Sequence, residues 1–201
     1  MAGWPSDSRS TPVTPSSDHG RAVDPAAFRT VMSLLASGVA VISVQDPENG
    51  QPRGMTANAL MSVSLHPPLI VVSVRQQARL HGALQAVGAY GVTVLGEAQQ
   101  AQARRFAGMP VARHESGPAF SHRSGIPVLD GGLAWIVTRV SAAYPAGDHT
   151  LFVGEIIDLG SDRPGDPPLA FHRSAFARLT PAAPHGTVPL LAWESGLDMW
   201  G

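Results

Sequence analysis

Apolar and polar positions alternate along this chain in blocks that change period, and the changes mark the elements. Asp24-Pro25 pairs an N-cap residue with a proline at the first helical position, where a missing N–H costs nothing. Phe28, Val31, Met32 and Leu35 follow at i, i+3, i+4 and i+7, which predicts a short helix with one buried stripe, ended by Gly38. The period then shortens to that of strands: Val39 to Val44, a turn through Asp46-Pro47-Glu48-Asn49-Gly50, Met55 to Leu65 and, after Pro67-Pro68, Leu69 to Val74. This reads as an antiparallel meander. Leu80, Leu84 and Val87 share one side of a predicted helix over 78–87 with Gly88 as its stop, and a strand follows over Tyr90 to Leu95. Glu97 to Ala107 reads as a further helix, Gly108 to Asp130 as loop, and Leu133 to Tyr144 and His149 to Leu159 as two long strands joined by Pro145-Ala146-Gly147-Asp148. A last pairing segment covers 168–179. Many antiparallel strands with three interspersed helices predict a mainly β protein, a closed or split β-barrel with flanking helices.

Composition sharpens this picture. The 201 residues include 21 Gly and 18 Pro, which suits a turn-rich fold, and 44% are hydrophobic against 14% charged, enough for one packed core. Residues 1–22 are rich in Ser, Thr and Pro and predict a mobile arm; residues 23–180 carry the domain; residues 181–201, with Trp193 and Trp200, form a C-terminal extension expected to pack on the barrel or on a second subunit. All 14 basic residues are Arg, and Cys is absent. These two zeros exclude Schiff-base lysines, a P-loop lysine, cysteine nucleophiles, disulfides, iron–sulfur clusters and thiolate zinc sites. A net charge of −1 supplies no broad basic face for nucleic acid. With neither a long apolar run nor a secretory leader in the sequence, a cytoplasmic protein is expected.

Candidate chemistry lies in MTANALMSVSL, residues 55–65. Read as one strand, Met55, Ala57, Ala59, Met61, Val63 and Leu65 form a core face, and Thr56, Asn58, Leu60, Ser62 and Ser64 the other. The second face is small and mostly hydroxyl or amide. It admits a flat, polar-edged heterocycle close to the backbone, although a solvated sheet face has the same pattern.

RGMTANALMSVSLHPPLIVVSV (53–74) resembles the signature of the flavin reductase-like family. YGVTVLGEAQQAQARRFAG (90–108), GIPVLDGGLAWIVTRV (125–140), GDHTLFVGEIIDL (147–159) and PLAFHRSAFARL (168–179) resemble its later motifs in the same order. The resemblance spans roughly residues 24–180. It implies an FMN-binding split barrel, antiparallel and Greek-key-like, in a homodimeric enzyme that takes hydride from NADH or NADPH and passes it to FMN or FAD. Reduced flavin then leaves for a partner monooxygenase. It further implies that Thr56, Ala57, Asn58 and Ala59, with Ser62, Val63 and Ser64, line the isoalloxazine and ribityl chain, that Phe106 and Ala107 lie near the phosphate end, and that His149 meets the pyridine nucleotide. Hydride transfer is the cofactor's own chemistry, so a site without Lys or Cys remains competent.

The chain departs from the family where relatives offer Ser and Thr hydroxyls to the flavin phosphate. The matching residues are Arg75-Gln76-Gln77-Ala78-Arg79-Leu80. Each lost hydrogen bond costs about 1 kcal/mol, whereas a charge-assisted bond from arginine returns about 1.5 to 3 kcal/mol. Arg79, with Gln76 or Gln77, is therefore expected to replace the hydroxyl cradle. Arg173, in FHRSAF, is a further candidate for a phosphate or a cross-subunit carboxylate, whereas Phe171 and Phe176 suit the core or a dimer interface. His66, His114, His122, His172 and His185 show no metal-ligand spacing, and no metal is expected. Two other readings remain open: a split barrel that retains its flavin for another redox step, and a non-redox dimeric binding module.

Overall fold

The computed structural model describes residues 22–111 and 117–179. The expected arm, save its last residue, the C-terminal extension with Trp193 and Trp200, and His114 and His185 lie outside the described residues.

Twelve strands and three helices account for most of the described chain. Seven strands form one antiparallel sheet: β2 (Ala40–Gln45), β3 (Pro52–Ala57), β4 (Leu60–Leu65), β5 (Pro68–Arg75), β6 (Ala89–Val94), β9 (Ala134–Ala146) and β10 (His149–Ser161), in the order β3-β2-β6-β9-β10-β5-β4. A second sheet joins β1 (Ser37–Gly38) to β11 (Leu169–His172) and β12 (Ala175–Arg178), and β7 (Phe120–Arg123) pairs with β8 (Ile126–Leu129). The protein is therefore mainly β and antiparallel, with helices α1 (Pro25–Met32), α2 (Arg79–Val87) and α3 (Gln100–Phe106) at its flanks.

Strand β2 explains why the apolar run around residue 40 is nearly continuous: it is covered on both faces. Ala40, Ile42 and Val44 enter a core shared with Val72, Val74, Leu84, Tyr90, Val92 and Phe152. Val39, just before the strand, and Val41 turn the other way, into a second cluster with Leu95, Ala103, Leu129 and Leu169. Helix α2 closes one end of the first core with Leu80 and Leu84, and Gly88 stops it in the left-handed conformation, at φ 66°.

Four expectations are corrected. The segment from Met55 to Leu65 is two strands, because pairing with β2 ends at Ala57 and the chain resumes on β5 at the opposite edge of the sheet, the Ala59 carbonyl already accepting the Ser73 N–H at 3.1 Å. Two intervening residues, a span of at most about 11 Å, separate Ala57 on one edge strand from Leu60 on the other. The inward parity slips by one across the break: Met55 and Ala57 belong to the first core, and the next contributor is Leu60. Met61, Val63 and Leu65, expected inside, are consequently 55%, 45% and 55% exposed.

The stripe of α1 is also not buried within the chain. Asp24 caps the helix as expected, its Oδ2 accepting from the Ala27 N–H at 3.1 Å, and the helix ends at Met32, short of Gly38. Phe28, Val31, Met32 and Leu35 are nonetheless about half exposed or more. Periodicity identifies an apolar face but not which molecule covers it. The predicted loop 108–130 contains the β7–β8 hairpin, hidden from pattern reading by polar Ser121, His122 and Arg123 and by Pro127. The hairpin lies so close on β6 that a Cβ at Gly91 would stand 2.3 Å from the Pro127 carbonyl oxygen. Finally, the helix expected over 97–107 begins as a 3₁₀ turn, Glu97–Gln99, before α3.

Candidate functional site

The corner where β3 gives way to β4 is the hub of three cavities. At one end, α2 is preceded by Ala78 at its N-cap, whose methyl side chain cannot cap it, so its first-turn amides lack a side-chain acceptor there. Opposite stands the C-terminal end of α3. Gly54 lets that helix approach β3, since a Cβ there would lie 2.8 Å from the Phe106 ring. Thr56 fastens it, donating its hydroxyl proton to the Ala103 carbonyl at 2.7 Å. Between the two helices opens a cavity of about 540 Å³ lined by Arg53, Arg79, Arg105, Phe106 and Ala107 among others, with no carboxylate in its wall. Three arginines in its wall, of which Arg53 is paired with buried Asp46, and the N-terminus of α2 give this cavity a cationic lining suited to an anion.

Ala107 is shared with a narrower cavity of about 140 Å³, bounded also by Thr56, Asn58, Phe171 and Phe176. Asn58 is shared in turn with a cavity of about 550 Å³, mostly apolar, which includes Ala59, Leu60, Val71 and Leu151. Its polar features are Ser37, Asn58 and Ser73, and the buried Ser37 hydroxyl has no hydrogen-bond partner. The run is thus cationic at one end and apolar with a few unspent polar groups at the other. That polarity suits a flat heterocycle carrying an anionic tail.

Residues 32–180 match the Flavin reductase like domain family. The chain belongs to that family. Over 159 residues this flavin reductase-like chain is 38% identical to an NADH-dependent flavin reductase of Rhodococcus sp, covering 78% of this chain and 88% of the relative. It is 37% identical over 155 residues to the reductase component of 4-hydroxyphenylacetate 3-monooxygenase from Thermus thermophilus, covering 76% and 95%. The solved flavin reductase PheA2 superposes with a TM-score of 0.73 at 36% identity, covering 79% of this chain and all of that one.

Within this flavin reductase-like fold the candidate residues separate into groups. Arg79, Phe106 and Ala107 line the cationic cavity, Thr56 and Asn58 the narrow one, and Asn58 and Ala59 the apolar one. Ala57 is buried in the core, so its contribution to a groove is its backbone. Ser62, Val63 and Ser64 lie on β4 outside all three cavities, with the Ser64 hydroxyl accepting from the His66 N–H at 3.2 Å. Gln76 ties the β5–α2 loop to the β9–β10 turn: its side-chain amide donates to the carbonyls of Gly147 and His149 at 3.4 and 3.3 Å, and its N–H to that of Asp148. Gln77 is exposed in that loop. His149 opens β10 with Nδ1 2.7 Å from an Asp148 carboxylate oxygen, and the imidazole holds that carboxyl below its ordinary range. Arg173 sits at φ 50° in the β11–β12 turn, where its N–H donates to the Ser33 carbonyl at 2.7 Å, and it lines none of the three cavities, although Phe171 and Phe176 on the flanking strands line the narrow one.

Arg53, Arg105 and Ser37 escaped the pattern reading. Arg53 stands directly before Gly54 in the signature segment and Arg105 directly before Phe106, so adjacency to named residues was the available signal. Nothing in the sequence marked Ser37.

Proposed function

We propose that the protein is an NAD(P)H-dependent flavin reductase that delivers reduced FMN or FAD to a partner monooxygenase. The observation that carries this is the run of cavities along the β3–β4 corner, cationic where a flavin's phosphate would lie and apolar where its ring would lie. Bound flavin supplies the hydride-accepting chemistry, which asks of the protein no acid, base or nucleophile. Asn58, Ala59 and the partnerless Ser37 hydroxyl would hold the ring's polar edge, the narrow cavity between Thr56 and Ala107 would admit the ribityl chain while the Thr56 hydroxyl stays on Ala103, and Arg79 would take the phosphate in place of the family's hydroxyls. Ser62, Val63 and Ser64, the Gln76-Gln77 loop and Arg173 complete the assignment as the outer margin of the site. His149, oriented by Asp148, serves the pyridine nucleotide.

The finer architecture in this reading is a split barrel over residues 23–180, supported by the two-residue link between β3 and β4, the strands at opposite edges of the seven-stranded sheet. It works as a homodimer. Phe28, Val31, Met32 and Leu35 on α1, with Met61, Val63 and Leu65 on β4, are large apolar side chains left open to water in the single chain, and a second copy would cover them. No helix among the described residues is long and apolar enough to cross a membrane. A cytoplasmic location, where pyridine nucleotide is at hand, completes the proposal.

The test follows NADH and NADPH absorbance with FMN, FAD and riboflavin supplied in turn. Oxidation that depends on added flavin is expected. Absence of turnover with every flavin refutes the assignment.

A further inference from the structure

Resting on the reductase reading, we propose that buried Asp46 is a positioning residue for phosphorylated flavins: it aligns Arg53 on the wall of the cationic cavity, where the guanidinium meets the flavin's phosphate. Asp46 follows β2 at the turn into β3, where its backbone and carboxylate close the hairpin. Its N–H donates to the Gln51 carbonyl and its own carbonyl accepts from the Gly50 N–H, each at 2.9 Å. Its Oδ1 accepts from the Glu48 N–H at 3.0 Å. The remaining oxygen, Oδ2, receives Nη2 of Arg53 in an ion pair whose carboxylate side chain is only 4% exposed. From the other branch of the guanidinium, Nη1 donates to the Arg79 carbonyl at 3.3 Å. Arg53 is thus anchored at two points, one on the hairpin and one on the first turn of α2, while its side chain, 38% exposed, remains among the residues that line the cavity.

An arginine loses considerable rotamer freedom when it grips a ligand, and one aligned beforehand loses less on binding. The chemistry this favours is a phosphate with more than one oxygen to offer, whether the terminal phosphomonoester of FMN or the diphosphate of FAD. Riboflavin has neither. Electrostatics alone predicts the opposite sign for loss of Asp46: removing a negative charge beside the cavity makes it more cationic and tightens an anion. The direction of the effect therefore separates alignment from charge.

The experiment compares wild type and Asp46→Asn in steady-state reduction of FMN, FAD and riboflavin, with each flavin also titrated directly by fluorescence in the absence of pyridine nucleotide. The expected result is a rise of about tenfold in KM and Kd for phosphorylated flavin, the size of a weakened charge-assisted bond, with kcat and the riboflavin values unchanged. A rise for FMN alone assigns the cavity to the phosphomonoester, one for FAD alone to the diphosphate. Equal losses for all three flavins overturn the proposal in favour of a simple hairpin staple, and unchanged or tighter binding of phosphorylated flavins overturns it outright. Should Asp46→Asn fail to fold, Asp46→Glu keeps the charge and displaces the carboxylate by one methylene: weaker phosphorylated flavin binding is expected again, and wild-type affinity overturns the proposal. A wild type that binds the flavins but reduces none sinks the reductase reading, while the fluorescence titration still decides the role of Asp46.

Discussion

Thr56 is the residue on which sequence and structure assign different work, and Thr56→Val separates the two. The resemblance implies a hydroxyl turned to flavin; in the fold its proton is already given to the Ala103 carbonyl at 2.7 Å. That carbonyl also accepts the Ala107 N–H at 3.1 Å, so losing Thr56 does not orphan it. The cost is then that of an ordinary net hydrogen bond, about 1 kcal/mol, and not the larger penalty of a stranded buried acceptor. Valine keeps the β-branched shape, so strand preference is unchanged. For a domain of this size, the same loss lowers the melting temperature by about 2–4 °C. Because Phe106 and Ala107 at the end of α3 wall two cavities, KM rises in parallel for riboflavin and FMN, by no more than about fivefold. Urea and thermal unfolding of the flavin-free protein measure the first effect, and Thr56→Ser, which keeps the hydroxyl, should recover most of it. Unaltered flavin-free stability together with weaker flavin binding would refute the bracing role and return the hydroxyl to the ligand.

Three further outcomes are expected. Arg79→Ala weakens FMN by roughly tenfold or more, the value of a charge-assisted bond, and leaves riboflavin unaffected in fluorescence titration; equal affinity of mutant and wild type for FMN removes Arg79 from the site. Burial raises the Tyr90 phenol to about 12 from 10.0, so between those values the unfolded chain loses its proton while the folded one keeps it. Stability is then full below pH ~10 and falls by roughly 3 kcal/mol as pH rises toward 12, a fall that Tyr90→Phe abolishes in urea melts at pH 9 and 11.5. Met61→Asp, at a position 55% exposed in the single chain, folds normally but shifts sedimentation toward monomer; a persistent dimer excludes β4 from the interface.

How much of this could be read in advance depends on what each signal reports. The continuous apolar run of β2, the Gly88 stop of α2 and the long β9–β10 hairpin are local patterns with local causes, and they appear where expected. The slip in parity at Asn58-Ala59 leaves only one local mark in MTANALMSVSL, the apolar Leu60 on the otherwise polar face, and the change of hydrogen-bonding partner behind it is not a property of the pattern. The stripe on α1 is legible as apolar, yet its exposure is a property of the single chain. At the site, small residues around 56–59 flagged the corner. The cationic cavity could not be read from pattern, since Arg53, Arg79 and Arg105 come from one strand and two helix ends that only the fold assembles.

The register of the central ladder governs how this chain reaches its native state. His149 pairs with Arg75 and Ala89 with Arg139, so the middle of the sheet is stitched from residues about fifty and more apart in sequence. Such closures sacrifice chain entropy well before contacts reward them, and domains built this way fold in milliseconds to seconds. The groove at residues 58–59 needs both outer strands in place and is therefore among the last features to mature. Newly made chains should consequently acquire secondary structure sooner than flavin affinity, a delay that stopped-flow refolding in the presence of FMN would resolve as two separate phases.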